Sequence, residues 1–426
     1  MPEPIELMHI FRSAAPFICN QALALISRLP RQRFHTTVAG ELDRRTKRRL
    51  AMSRARWVQM PLPTDLQPLL QIGTARRLAR LFAGQGTALV HAHGFQAGFT
   101  ALLARRHLAD GPAIICSPYG PPGLADRSGL ARQSVVTAAR WVMRQADVVA
   151  VQSEHEAAQL ASLLPGKQAN LRVVPEGVVL ESLREDFEPG TKRRLVGLDP
   201  MAAIVGVMSP PDGSGISEFL EAARLVMDSR PNVEFVSIGQ GAKTEQFVEA
   251  AHQLGLSGCT VFLGDRADIV EIIASLNALV IPADYSGCRR YAVHALASNI
   301  PLIVAADGGL PDLVSEIKQA RIVAPGDVVA IEKAIAGFLD TVPPGDTDAL
   351  ADDELGFSQR ELLVSGMVID FDTVGLDPVP GRELSEEQQA IQQTIERFSM
   401  QQVARHLADL YLQVASISTA DEKSID

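Results

Sequence analysis

The chain has 426 residues, 46% hydrophobic and 5% aromatic, with a formal net charge of −10. That length suits two domains of ordinary size with substantial cores. The acidic balance and the lack of any recognised binding motif argue against a nucleic-acid partner, and no uncharged apolar run is long enough to span a bilayer.

Taken in chain order, short apolar runs alternate with longer amphipathic stretches. The opening MPEPIELMHIFRSAAPF has no basic segment ahead of an apolar one, so no secretion signal is expected. Strand candidates in the first half are IELMHIF, HTTVAG, ALVHAH, AIICSPYG, DVVAVQS and LRVVPEG. A second series follows in AAIVGVMS, VEFVSIG, CTVFLG, ALVIPA, PLIVAA and ARIVAP. Helical patterns between them include Gln21–Leu29, Gly98–Leu108, Glu154–Leu164 and Ile216–Met227. Continuous apolar strands separated by helices predict parallel sheets covered on both faces, and two such series predict two doubly wound domains.

The predicted organisation is a first domain over 1–180, a charged linker over 181–200 and a second domain over 201–340. Residues 341–384 read as an acidic insertion or partly mobile loop containing Pro and Gly. A helical pattern follows over 385–414, opened by a Ser385–Gln388 capping-box spacing, and 415–426 reads as a flexible tail. Cys19, Cys116, Cys259 and Cys288 have no paired spacing, which fits buried thiols in a reducing cytoplasm and neither a disulfide framework nor a zinc site.

Charge is distributed unevenly. Ten Lys/Arg face two acids between Arg28 and Trp57, and thirteen acids face two bases between Asp340 and Glu387. Each cluster has two readings: a solvated face or, for the basic stretch Arg28–Arg56, a peripheral contact with anionic lipid or an anionic glycan carrier at the inner membrane face.

Several short segments, in order, carry a family resemblance. They are VHAHG at Val90–Gly94, ADVVAVQS at Ala146–Ser153, VVPEGV at Val173–Val178 and SIGQG at Ser237–Gly241. VFLG at Val261–Gly264, GGLPDLV at Gly308–Val314, APGD at Ala324–Asp327 and the terminal Phe398–Tyr411 continue the series. Pro282–Ile303, PADYSGCRRYAVHALASNIPLI, is similar to a pattern P-S-x-x-E-G-F-G-x-x-x-x-E-A-M-A-x-G-x-P-V. Together they resemble the family 4 glycosyltransferases of GT-B fold. The resemblance implies two Rossmann-like domains facing a cleft, with a C-terminal helix crossing back to the first. It also implies a nucleotide-sugar donor, a glycan or lipid-linked acceptor and no metal or other cofactor.

The resemblance also marks where the chemistry departs. The family carries an Arg and a Lys in V-G-R-x-x-x-x-K-G to neutralise the diphosphate leaving group; here Val207 and Asp212 stand in those places. Ser286 and His294 stand where it carries two glutamates that contact the donor sugar and the ribose. Its Gly-Gly turn aligns with Pro16-Phe17, and Tyr119 replaces the His of a T-x-H-G turn. Candidates for holding a donor diphosphate are Gly239, Gly241, Gly287, Arg289, Arg290, Gly308 and Gly309, with Gly308-Gly309 the favoured phosphate cradle. On the acceptor side the candidates are His91, His93 and Tyr119, the histidines being either structural or contacts for the acceptor. Two functions follow. One is a catalytically impaired homologue serving polysaccharide or glycoconjugate synthesis as a glycan-binding subunit or the partner of another glycosyltransferase. The other is an active retaining enzyme that moves a hexose from a UDP- or GDP-sugar through an altered donor site, with Arg289 or Arg290 on the diphosphate.

Overall fold

The structure, a computed structural model, describes residues 3–11, 16–42, 44–53, 55–62, 68–119, 129–164, 170–179, 187–239, 244–266, 268–285, 287–340, 361–364, 367–370, 375–378 and 385–422. The chain divides into two compact units, one of Met1–Gly177 with Met400–Asp426 and one of Val178–Ser399.

Unit 1 has seven strands: β1 (Ile5–Phe11), β2 (Phe34–Gly40), β3 (Arg56–Gln59), β4 (Leu89–His93), β5 (Ala113–Ser117), β6 (Val148–Val151) and β7 (Leu171–Val173). They form one parallel sheet in the order β3-β2-β1-β4-β5-β6-β7. The connecting helices are α1 (Pro16–Arg28), α2 (Arg44–Ser53), α3 (Pro68–Gln85), α4 (Phe95–Arg105), α5 (Gly129–Gln145) and α6 (Glu154–Ser162). Every residue of β4 and β5 is buried, because side chains alternate between two covered faces. One core gathers Leu78, Phe82, Leu102 and Val142 against Ile10, Val90 and Ile114.

Unit 2 begins with α7 (Pro189–Leu195) and then alternates β8 (Ala203–Met208), α8 (Ile216–Ser229), β9 (Val233–Ile238), α9 (Thr244–Gln253), β10 (Thr260–Gly264), α10 (Ile269–Ile273), β11 (Ala278–Ile281), α11 (Cys288–Ala297), β12 (Leu302–Ala305), α12 (Leu310–Val314), β13 (Ala320–Val323) and α13 (Val328–Leu339). Its parallel sheet has the order β10-β9-β8-β11-β12-β13. Helices α8 and α13 cover one face through Phe219, Val226, Ile331 and Ile335. Helices α10, α11 and α12 cover the other, joined by Ile391, Ile395 and Phe398 of α14 (Glu386–Phe398).

Three features differ from the sequence reading. The pattern over 385–414 is two helices: α14 stops at Ser399, whose extended backbone (φ −62°, ψ 139°) breaks the helix. Helix α15 (Met400–Glu422) then belongs to unit 1, so a C-terminal helix does return to the first domain. Met400, Val403, Leu407 and Tyr411 complete a core with Leu25, Phe34 and Ile115. This helix runs on to Glu422, through much of the stretch read as tail. Within the acidic segment 341–384, the described residues form an antiparallel sheet of β14 (Glu361–Val364), β15 (Met367–Asp370) and β16 (Gly375–Pro378). The capping box holds as read: Ser385 Oγ accepts from the Gln388 N–H at 3.3 Å, and Gln388 Oε1 from the Ser385 N–H at 2.8 Å. The basic stretch also forms a helix, α2, with Lys47 Nζ 4.1 Å from the centroid of Trp57 on β3.

The third difference is α7, which lies in the stretch read as linker. Glu188 caps it by accepting from the N–H groups of Gly190 and Thr191. Lys192 pairs with Asp268 at 2.9 Å and with Glu271. Arg193 is 1% exposed. Its Nε donates to the Ser275 carbonyl (2.7 Å), Nη1 to the Pro200 carbonyl (2.9 Å) and Nη2 to Asn277 Oδ1 (3.0 Å). Asn277 Oδ1 also accepts the Ile204 N–H at 2.7 Å, so one guanidinium ties α7 to the amino ends of β8 and β11. Lys192 and Arg193 are therefore interior cross-links, while Arg194 and Glu188 beside them stay exposed. Arg193→Ala strips a charged donor from each of these three acceptors and is expected to cost unit 2 about 3–5 kcal/mol in denaturant unfolding. A loss below about 1 kcal/mol contradicts that role. Among the described residues, no helix is long and apolar enough to cross a membrane.

Candidate functional site

In a doubly wound sheet, ligands bind at the carboxyl ends of the strands, where the strand order reverses. In unit 2 that reversal lies between β8 and β11. The loops leaving these two strands meet there: a Cβ on Gly215 would lie 2.5 Å from Cβ of Pro282. The two segments that carry the family resemblance are thus neighbours.

Val207 is fully buried with Val205 in the core against Ile216 and Phe219. The position contributes packing, and a cation on that face would lose its hydration. Asp212 is exposed, and its Oδ1 accepts from the Ser214 N–H at 3.0 Å in the turn that leads into α8. Gly239 has φ +120°, and a Cβ there would lie 2.6 Å from the Ser209 carbonyl oxygen. Close approach of the β8 and β9 ends therefore requires glycine at this point. Gly241 and Ser286 lie outside the described residues, as do the Pro16 and Phe17 side chains. Pro16 opens α1, a position that suits its fixed φ and missing N–H.

Gly287 is the left-handed N-cap of α11 (φ +94°). The candidates Arg289, Gly308 and Gly309 come together, and the group that joins them is Asp284. Its Oδ2 accepts from the Gly309 N–H at 2.7 Å and from Arg289 Nη2 at 2.8 Å. Its Oδ1 accepts from the Cys288 thiol at 3.1 Å. Both charged side chains are nearly buried, Arg289 8% and Asp284 13% exposed. Burial, and then the Asp284 charge, pushes the Cys288 thiol well above its ordinary range, so it stays protonated and donates. Gly308 has φ +58°, and a Cβ there would lie 1.8 Å from Asp284 Oδ2. The turn expected to cradle a phosphate therefore holds the chain's own carboxylate. Arg290 points elsewhere: its guanidinium carbon lies 4.4 Å from the Tyr291 ring centroid and it donates to the Tyr291 hydroxyl. His294 is 5% exposed within α11. Burial, reinforced by Arg290, lowers its pKa to about 4 and keeps it neutral.

In unit 1 the order reverses between β1 and β4. His9 on β1 lies opposite His91 on β4, and His93 follows two residues on, so the three imidazoles share one face. His9 Nδ1 is 3.0 Å from His93 Nε2, and His93 Nδ1 is 2.8 Å from the Tyr119 hydroxyl. His91 Nδ1 is 2.5 Å from the Tyr411 hydroxyl, and its Nε2 is 2.8 Å from Ser117 Oγ. The His91 and His93 rings stack with centroids 4.1 Å apart. Tyr119 holds a left-handed backbone (φ +59°), uncommon for a bulky residue and a mark of local constraint.

This trio is the group of possible metal ligands found among the described residues, with ligand atoms within 4.8 Å of one another. All its ring nitrogens but His9 Nε2 already have hydrogen-bond partners, and a neutral imidazole has one lone pair to give. The arrangement is a hydrogen-bonded network. A cavity of about 40 Å³ adjoins it, lined by His91, Ser117, Tyr119, Gln21 and Glu176. Gln21 Nε2 donates to Glu176 Oε1 at 3.2 Å. A larger cavity of about 270 Å³ lies beside Phe34–Thr37, at the opposite, amino end of β2.

Sequence reasoning found His91, His93 and Tyr119 but missed His9, Tyr411 and Asp284. His9 sits mid-strand in an apolar run, and Tyr411 is 320 residues from His91. Asp284 occupies a position the family pattern leaves open.

Burial holds the three imidazoles neutral, lowering His91 to about 3 and lowering His9 and His93 well below their ordinary value of 6.5. The unfolded chain takes up protons on them near pH 6.5 while the folded chain does not. Their contribution to stability is therefore full above that pH and declines as the pH falls below it. Three such groups give a slope of up to about 4 kcal/mol per pH unit. Denaturant unfolding measured between about pH 7.5 and 5.5 checks this; buried His294 adds a fourth group of the same sign, so His9→Asn should remove about a quarter of the slope. A stability that does not fall over that range contradicts the neutral assignment.

Comparison with known proteins agrees with this fold. Residues 19–177 match the family described as "Glycosyl transferase 4-like domain", and residues 199–341 match "Glycosyl transferases group 1". The D-inositol 3-phosphate glycosyltransferase of Mycobacterium sp. (strain KMS) is 33% identical over 196 residues, 44% of this chain and 43% of that protein. The 2-deoxystreptamine N-acetyl-D-glucosaminyltransferase of Streptomyces fradiae is 27% identical over 223 residues, covering 51% of this chain and 52% of that protein. The chain thus spans about half the length of the curated relatives it matches. Among solved structures, sucrose-phosphate synthase from Thermosynechococcus elongatus aligns with a TM-score of 0.65 at 15% identity, covering 97% of this chain and all (100%) of that one. HepE from Anabaena, in complex with UDP and glucose, aligns with a TM-score of 0.66 at 15% identity over 95% of this chain and 99% of that one. Two parallel, doubly wound units of this order, together with both family matches, place the chain among the GT-B glycosyltransferases built from a 4-like and a group 1 domain.

Proposed function

We propose that this chain is a GT-B glycosyltransferase homologue whose donor pocket no longer supports sugar transfer. It would serve polysaccharide or glycoconjugate synthesis as a glycan-binding subunit or as the partner of an active glycosyltransferase. The observation that carries this reading is the Asp284 carboxylate on the Gly309 N–H and on Arg289, where an incoming diphosphate would need the same donors. A departing diphosphate needs preorganised positive charge. Val207 is core, Asp212 adds a negative charge, and Arg289 is neutralised. His294, neutral and buried, offers a ribose less than a carboxylate does.

The alternative is an active retaining enzyme that uses a UDP- or GDP-sugar through an altered site. It draws on HepE, a protein of the same fold that holds UDP and glucose. That reading needs Arg289 or Arg290 on the diphosphate, whereas Arg289 bonds Asp284 and Arg290 covers Tyr291.

Thermal unfolding titrated with UDP- and GDP-sugars separates the two. A ligand at 100 times its Kd stabilises by about 2.7 kcal/mol. The impaired reading expects no saturable rise in Tm with any of them. Saturable stabilisation by a nucleotide sugar favours the active enzyme and ends the partner-only reading.

A further inference from the structure

We infer that Asp284 is a built-in anionic ligand. The pocket it fills, formed by Arg289 and the Gly309 N–H, takes a phosphate group of pyrophosphate or of a nucleoside diphosphate once that carboxylate is removed. The inference rests on the reading of a closed donor site and deepens it by naming the residue that closes it.

Three donors of different kinds converge on two oxygens: a guanidinium, a backbone N–H and a thiol. Charge-assisted donors set beside a backbone N–H in this way form the surroundings of a bound oxyanion. The carboxylate lies so close over the turn that residue 308 has no room for any side chain. Its attachment is short and local, since Asp284 leaves β11 after Pro282 and reaches across to the loop after β12. Against the pattern P-S-x-x-E-G-F-G, Arg289 stands at the second glycine and Asp284 at a free position. The acid and the base that departs from the pattern thus face each other as a pair. The arrangement closes the pocket sterically and electrostatically: an entering phosphate must displace a tethered anion and would meet its charge.

The test compares wild type, Asp284→Ala and Asp284→Asn, with inorganic pyrophosphate and UDP as probes in thermal unfolding and calorimetric titration. Asp284→Ala removes the acceptor of three hydrogen bonds and is expected to lower Tm by several degrees. Pyrophosphate should restore Tm saturably and bind Asp284→Ala at least about tenfold more tightly than wild type, a gain of about 1.4 kcal/mol. Asp284→Asn keeps the shape and one acceptor oxygen while removing the charge, and should show a smaller gain. If Asp284→Ala does not fold, this variant decides, and no gain over wild type overturns the inference. The gain must disappear in Asp284→Ala combined with Arg289→Ala, since a gain that persists places the anion elsewhere. Absence of binding by wild type and variants alike overturns the inference and leaves the impaired reading standing. Equal binding by all of them overturns both. UDP binding without pyrophosphate binding assigns the affinity to the nucleoside and also overturns it.

Discussion

The carboxyl end of the unit-2 sheet is organised around one buried ion pair, Asp284 with Arg289. It links the loop after β11, the first turn of α11 and the glycine turn after β12. Removing two charges from water is costly, and the cost is offset only where further hydrogen bonds satisfy the remaining lone pairs. Here the Gly309 N–H and the Cys288 thiol take that role. The same contact dictates glycine at 308, so a residue that resembles a ligand-binding turn is held in place by an internal requirement. The chemistry of the site and its packing are therefore a single fact.

Unit 1 treats its polar groups differently. His9, His91 and His93 are buried at the strand-order reversal, each neutral and each tied to a neighbour. The bond from His91 to Tyr411 carries the network onto the returning helix α15, whose apolar side completes the core around Ile115 and Leu25. Apart from His9 Nε2, every ring nitrogen of this buried network has a partner, and those bonds tie β1, β4, β5 and α15 together.

The fold was legible because parallel strands buried on both faces are written as continuous apolar runs. All twelve runs read from the sequence are strands in the two sheets. The strand that escaped in the main sheets, β3, is an edge of four residues, RWVQ, with no fully buried position. Helix α7 escaped because charge ordinarily marks exposure. Lys192 and Arg193 are buried because partners distant in sequence, Asp268, Glu271 and Asn277, receive them. The site was legible as a set of positions and not as a set of contacts. Sequence spacing could bring Gly308 and Arg289 under suspicion, but it could not show that Asp284 fills the space between them. Val207 was read as a lost cation, and in the fold it is a core residue.

The direct measurement is a crystal structure of the wild-type chain grown in millimolar UDP. A self-filled pocket retains the Asp284 contact to the Gly309 N–H, 2.7 Å here, with no nucleotide beside it. A UDP diphosphate bound at Gly309 and Arg289, with Asp284 displaced, contradicts the closed donor site.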